Sequence, residues 1–243
     1  MVSKNQIKLI TSLHQKKFRS QHGLFLAEGI KVIQELLQSN FELYHLYQTE
    51  PLFDSVLSIQ KTIISVEELA KISALTTPNN CLAVFKIPEI TQMDEKGLIV
   101  VLDDIRDPGN LGTILRLCDW FGIEQVVCSK ETVDLYNPKV IQATMGSVSR
   151  VKVNYVDLLE WIGKTNLPVY GTFMTGANIY NEKLPQEGII VLGNEANGIS
   201  KEIENCIQNR ITIPRFGILK KTESLNVASA TAILLSEFCR ANS

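Results

Sequence analysis

The sequence predicts an α/β protein of two domains, a small N-terminal α/β unit followed by a larger one built on a mostly parallel sheet. Three observations carry this. Short apolar runs alternate with amphipathic stretches along the chain, the pattern of repeated strand–helix units. Runs such as LIVVL (98–102) and GIIVLG (188–193) are apolar throughout, as strands covered on both faces are. A polar, proline-containing stretch, 88–97, interrupts the alternation and places the break at 1–92 and 93–243.

The elements follow in order. IKLITSLHQKKF (7–18) reads as an amphipathic helix, GLFLAEG (23–29) as a strand, and 29–38 as a helix. ELYHLYQ (42–48) is a strand, PLFDSVLSI (51–59) a helix with proline near its start, and KTIISV (61–66) a strand. Ser65 with Glu68 three residues on is a capping box. CLAVFKI (81–87) closes the first domain. In the second, strands are expected at LIVVLDD, IEQVVCS, RVKVNYV, PVYGTFM, GIIVLG and RITIP. Helices are expected at 110–121, near 138–146, at 157–163, from Ser200, and at 224–240. In the first of these, Leu111, Ile114, Leu115, Cys118 and Phe121 form a buried stripe, and Asn110 is its expected N-cap after the Pro108-Gly109 turn. Arg116 stands one turn beyond Gly112 in that helix. A mid-helix glycine costs about 1 kcal/mol relative to alanine, so the gap under the arginine reads as space kept for something.

Composition narrows the function. Five cysteines are scattered and never spaced C-x-x-C, which argues against a disulfide framework, a zinc ribbon or an iron–sulfur cluster. His14, His22 and His45 all fall in the first fifth, so chemistry further along uses no histidine base and no histidine-held metal. No metal site is expected. No apolar run approaches the ~20 residues of a membrane span, and the N-terminus lacks the apolar core of a signal peptide; the expected location is the cytoplasm. The net charge of −2 does not mark a nucleic-acid binder, but residues 1–22 carry Lys4, Lys8, Lys16, Lys17 and Arg19 with no acid. Such a stretch either contacts phosphate or is a solvated helix face.

Open α/β sheets bind ligands beyond the C-terminal ends of their strands. Three loops of the second domain occupy such places: DDIRDPGNLG (103–112), LGNEANGIS (192–200) and IPRFGILKKTESLN (213–226). No G-x-G-x-x-G follows a strand and no Walker motif occurs, so ordinary dinucleotide and P-loop sites are disfavoured. The final helix is uncharged from Ser224 to Ser236 and apolar around its axis. That pattern asks for burial on all sides, by another subunit or by the N-terminal domain.

Together DPGNLGTILRLCDWFG, IIVLGNEANGIS and IPRFG…ESLNVASATAILLSEF resemble the three ordered motifs of SpoU-type RNA ribose 2′-O-methyltransferases of the SPOUT superfamily, over about residues 97–240. KKFRSQHGLFLAEGIKVIQELL resembles the substrate-binding N-terminal domain common in that family. The resemblance implies a C-terminal α/β knot, in which the chain threads a trefoil, with a smaller N-terminal α/β RNA-binding domain. It implies a homodimer built on the knot and S-adenosylmethionine as cofactor. The implied cofactor-binding positions are Thr172, Met174, Gly193, Asn194, Ile213 and Leu225, the glycine letting the ligand press on bare backbone. The implied catalytic residues are Arg116, Asn110, Glu195, Ser224 and Asn226. Lys16, Lys17 and Arg19, with Lys220 and Lys221 in a third loop longer than in many members, are read as RNA contacts.

The implied reaction transfers a methyl group to a ribose 2′-oxygen, and ribosomal RNA is the expected substrate. A guanidinium is effectively always protonated, so Arg116 is read as stabilising the developing alkoxide and holding the adjacent phosphate, not as a base. Asn110 and Asn226 orient the ribose or Arg116, and Glu195 and Ser224 fix the loop or the nucleotide. A transfer-RNA substrate, a base methyltransferase of the same superfamily, and a non-catalytic RNA-binding or ribosome-assembly protein are the alternatives.

Overall fold

A computed structural model of the chain describes residues 2–89, 95–217, 219 and 224–240. In chain order the elements are α1 (Lys4–Ser12), α2 (Lys16–His22), β1 (Leu24–Glu28), α3 (Ile30–Leu37), β2 (Leu43–Gln48), β3 (Lys61–Ile63), α4 (Val66–Ile72) and β4 (Cys81–Lys86). They continue with β5 (Leu98–Asp103), α5 (Pro108–Trp120), β6 (Gln125–Ser129), α6 (Pro138–Thr144), β7 (Lys152–Val156), α7 (Leu158–Ile162) and β8 (Val169–Asn178). The last are β9 (Gly188–Gly193), α8 (Lys201–Glu204), β10 (Asn209–Thr212) and α9 (Val227–Arg240). Two compact units result: Met1–Ile90 with Asp134–Ser149, and Thr91–Val133 with Arg150–Ser243. A single cut at 92 therefore differs from the packing in one place. The α6 segment leaves the second unit and lies against β1, where Tyr136 meets Phe25 at 4.8 Å between ring centroids.

The first unit carries a four-stranded sheet in the order β1-β4-β2-β3, antiparallel except for the β2–β3 pair. Ser3 with Gln6 and Ser65 with Glu68 form reciprocal capping boxes on α1 and α4, the second as expected. The helix expected at 51–59 does not form; only a 3₁₀ turn, Ser58–Gln60, is present. Phe53 and Val56 are buried, but Leu57 and Ile59 face solvent, so no continuous helical stripe exists to be packed. The segment is pinned from outside, by Lys61 Nζ on the Phe53 carbonyl at 2.8 Å and by Gln48 Oε1 accepting from the Leu52 N–H at 3.2 Å.

Arg19 corrects another expectation. It is 2% exposed. Its guanidinium donates to the Leu13 and His14 carbonyls and to Asp134, the last at 2.5 Å from Nη2. A guanidinium spent in this way is a buried brace of the first unit and not an RNA contact. Lys16 and Lys17, on the same helix, are exposed.

The second unit is a six-stranded sheet, every pairing parallel, in the order β10-β8-β9-β5-β6-β7. This is the mostly parallel α/β sheet expected. Its first strand, β5, is buried at all six positions and lies mid-sheet. From β5 the chain goes to β6 and β7 on one side, then to β8 and β9 on the other. The order reverses at β5–β9, where Asp103 pairs with Gly193 at the C-terminal ends. Ligand sites of open α/β sheets form at such reversals.

Two helix starts differ from expectation. Asp107, not Asn110, caps α5: its Oδ1 accepts from the Asn110 N–H at 2.8 Å, and Pro108 takes the first helical position, where a missing N–H costs nothing. Asn110 thereby keeps its side chain for other partners. Gly112 is buried within α5. At α9 the helix begins at Val227. Asn226 caps it, Oδ1 accepting from Ala228 and Ser229 N–H at 2.9 and 3.3 Å while its carbonyl takes the Ala230 N–H. The helix buries Val227, Thr231, Leu234, Leu235 and Phe238, and leaves Ser229 and Ser236 exposed.

Candidate active site

The site grows from the C-terminal ends of β5 and β9. Beyond β9, residues 194–198 turn back on themselves, with Asn194 and Gly198 exchanging backbone bonds at 3.0 and 2.8 Å. The buried Asn194 side chain sets this turn. Its Oδ1 accepts from the Ala196 and Asn197 N–H groups, and its Nδ2 donates to the Asp104 carbonyl at 2.7 Å. Asp103, at the end of β5, accepts from the Ser200 N–H at 2.7 Å. The first and second motif loops are thus tied together twice.

Gly193 is required here for a reason other than the one expected. A Cβ at 193 would sit 2.2 Å from Gly198 C and Ile199 N. The chain's own returning turn, rather than a ligand, occupies the space a side chain would need.

Three side chains join the three motifs. Asn110 Nδ2 donates to Glu195 Oε1 at 2.5 Å, and Asn226 Nδ2 donates to Asn110 Oδ1 at 2.9 Å. The directions are forced. Asn226 must turn its oxygen to the N–H groups of α9, so its NH₂ faces Asn110. Asn110 must then offer its oxygen, and its own NH₂ faces a carboxylate that can only accept.

Glu195 and Ser224 line a cavity of about 1300 Å³, together with Thr172, Met174, Gly193, Asn194, Ile213 and Leu225. The cavity also touches Phe216 and Leu219, apolar side chains that are exposed. Thr172 and Met174 reach it because β8 leaves its ladder. The β8–β10 register jumps from Gly171↔Arg210 to Ala177↔Ile211, freeing 172–176. Residues 213–217 and 225 belong to no helix or strand, so their main-chain donors and acceptors are not spent in a ladder.

Arg116 stands apart from these. It is exposed on α5 and does not line the cavity. Six residues separate it from Asn110, about 9 Å of helix rise. Asp119, three residues on, pairs with Arg150 at 2.9 Å, and among the described residues Arg116 has no hydrogen-bond or ion-pair partner. Lys220 and Lys221 lie outside the described residues. Sequence reasoning missed Asp104 and Phe216. The paired acids after an apolar strand were visible as DD, but only the fold shows that Asp104 takes a left-handed φ of 59°.

A parallel α/β sheet with a large, partly apolar cavity beyond the C-terminal ends of β8, β9 and β10 is the arrangement in which α/β enzymes bind small organic ligands. The sequence profile of the SpoU rRNA Methylase family matches residues 97–236, and that of the MRM3-like substrate binding domain matches 4–83. The chain belongs to the SpoU rRNA methylase family. It is 31% identical over 96% of both chains to the 23S rRNA (guanosine(2553)-2′-O)-methyltransferase RlmP of Bacillus subtilis. Among solved structures it resembles a TrmH-family protein of Porphyromonas gingivalis at 37% identity, with a TM-score of 0.90 over 99% of each chain. It also resembles an AdoMet-bound rRNA methyltransferase of Sinorhizobium meliloti at 25% identity, with a TM-score of 0.84 over 99% of this chain and 97% of that one. No described helix is long and apolar enough to cross a membrane.

Proposed function

We propose that this chain is an S-adenosylmethionine-dependent methyltransferase that modifies a ribose 2′-oxygen of ribosomal RNA. One observation carries the reading most: the Glu195–Asn110–Asn226 chain of bonds ties three distant segments together beside the cavity that Glu195 lines. Ribosomal RNA is preferred because the Bacillus subtilis and Sinorhizobium meliloti relatives are named as rRNA methyltransferases.

The cavity fits the cofactor. Its volume exceeds the roughly 300–1,000 Å³ of small-ligand sites, which leaves room for a nucleotide beside it. Met174 and Leu225 offer half-exposed apolar faces, and main-chain groups along 213–217 offer polar ones. Thr172, Met174, Gly193, Asn194, Ile213 and Leu225 hold the cofactor. When bound, S-adenosylmethionine supplies an electrophilic methyl group on a sulfonium.

The protein's residues do the rest. The attacking hydroxyl passes its proton to an oxygen of the neighbouring phosphate as it reacts, and Arg116, a permanent cation, stabilises the charge that develops on the ribose oxygen and holds that phosphate. Asn110 and Asn226 fix each other's amides and so present preorganised groups to the ribose. Glu195 anchors Asn110, and Ser224 holds the third loop at the cavity.

The first unit is the RNA-binding domain, with Lys16 and Lys17 on its exposed face. The second is a knotted catalytic domain that pairs with a second copy. The cytoplasm is the proposed location.

The test is Arg116→Ala, assayed by transfer of labelled methyl from S-adenosylmethionine to a 23S rRNA transcript and by calorimetry with the cofactor. Transfer is expected to vanish while cofactor binding stays. Near-normal turnover overturns the assignment of Arg116, and a product linkage cleaved by alkali overturns 2′-O-methylation.

A further inference from the structure

Arg106 sits between the end of β5 and the cap of α5, four residues before Asn110 and on the loop that flanks the sheet's reversal point. Its side chain is 70% exposed. Its Nε donates to Asp104 Oδ1 at 2.8 Å, the Glu131 carboxylate is close enough to attract it, and among the described residues its two terminal amino groups make no hydrogen bond.

The residue that aims it is unusual. Asp104 is one of two non-glycine residues with positive φ among those described, and it is held from several sides. Its N–H donates to Ser129 Oγ at 3.0 Å. Asn194 Nδ2 donates to its carbonyl at 2.7 Å and lies 3.4 Å from its Oδ2. Asn194 is the same buried side chain that shapes the 194–198 turn. The second motif therefore fixes Asp104, and Asp104 fixes the near end of the Arg106 guanidinium. An exposed ion pair of this kind adds little to stability, so its effect is on orientation. What remains is a flat fork of N–H donors, anchored at Nε and open at its far edge, the shape that takes a phosphate through two parallel bonds.

We propose that Arg106 binds a backbone phosphate of the RNA at the mouth of the site and so positions the strand for reaction. The proposal rests on the RNA methyltransferase reading above. It assigns Arg106 to substrate binding, and Asp104 to positioning Arg106.

The experiment measures binding of a 23S rRNA transcript across a salt series, together with methyl transfer, for the full chain and for R106Q, R106K, D104N and D104N/R106Q. R106Q is expected to weaken RNA binding roughly five- to tenfold near 0.1 M salt and to make the slope of log K against log salt shallower by about 0.7 to 0.9, the change for one phosphate contact. KM for RNA rises while kcat, cofactor affinity and melting temperature stay. R106K keeps the wild-type salt slope with a smaller loss of affinity, because the charge remains and the fork does not. Removing the arginine also bares the Asp104 carboxylate, which would itself repel RNA, so the double variant decides between screening and contact. R106Q must still cost affinity in the D104N background. If that loss disappears, or if R106Q binds like wild type while the wild type methylates RNA, the proposal is overturned. If the wild type neither binds nor methylates the transcript, the RNA methyltransferase reading falls first and takes this one with it.

Discussion

Replacing Asn226 by alanine, serine and aspartate separates two tasks of one amide. Its oxygen caps α9, and its NH₂ donates to Asn110 at 2.9 Å. Alanine removes both. A lost cap costs about 1 kcal/mol, and a lost hydrogen bond about 1 kcal/mol more. A change of 1 kcal/mol shifts the melting temperature of a domain this size by about 2–4 °C, so N226A is expected to melt about 4–8 °C lower. Serine is as good a cap as asparagine but cannot reach Asn110 with a donor, so N226S is expected to lose about half as much. Aspartate also caps, yet places an acceptor against Asn110 Oδ1 where a donor stood. Asn110 is then pushed from the orientation that Glu195 holds. Misplacement on the scale of an ångström costs up to about 100-fold in rate, so N226D is expected to lose tenfold or more of its methyl transfer while keeping most of its thermal stability. Scanning fluorimetry and transfer of labelled methyl to a 23S rRNA transcript read the two effects separately. N226D working at full rate, or N226S melting with N226A, would refute the division of labour.

Gly193→Ala drives a methyl group to 2.2 Å from the backbone of Gly198 and Ile199; the 194–198 turn must open, and calorimetry should show cofactor binding lost. Arg19→Met leaves the half-buried Asp134 and the Leu13 and His14 carbonyls without their partner and should destabilise the first unit by about 2–3 kcal/mol, whereas K16E/K17E should leave its melting unchanged and flatten the salt dependence of RNA binding. Burial raises the Glu28 carboxyl above its usual range, outweighing its bonds from Ser73 and Ala74. The folded state then holds that proton more tightly than the unfolded chain does. Its contribution is present below the unfolded value and is lost as pH rises through the raised one. Glu28→Gln, able to accept from Ala74 and donate to Ser73, should therefore flatten the pH dependence of the first unit's stability in that window, as followed by melting against pH.

The second unit was legible because its strands are covered on both faces. Val100, Val101, Ile190 and Val191 stand in unbroken apolar runs, and such runs have few other uses. The start of α5 was legible in principle. Asp107-Pro108 carries both a cap and a first-turn proline, but Pro108-Gly109 is also a turn signal that points to a cap at Asn110. The segment 51–59 was misread because Leu52, Phe53, Val56 and Leu57 mimic a helical face, while what holds it comes from Gln48 and Lys61 outside it. Arg19 was out of reach. Its partner lies 115 residues away, and a basic residue on a short amphipathic helix looks solvated from local spacing alone. The motif residues were found by resemblance. The geometry added the order in which Glu195, Asn110 and Asn226 touch, and it left Asn110, Arg116 and Asn226 outside the cavity lining that Glu195 and Ser224 share.

The corners of that hydrogen-bonded chain lie 85 and 116 residues apart in sequence. No local folding event can bring them together, and contacts of such separation form slowly. A nascent chain that has laid down its sheet but not docked its final helix has no finished site. Turnover in this molecule is therefore a report on completed folding, and whatever delays the last helix withholds activity without touching any reacting group.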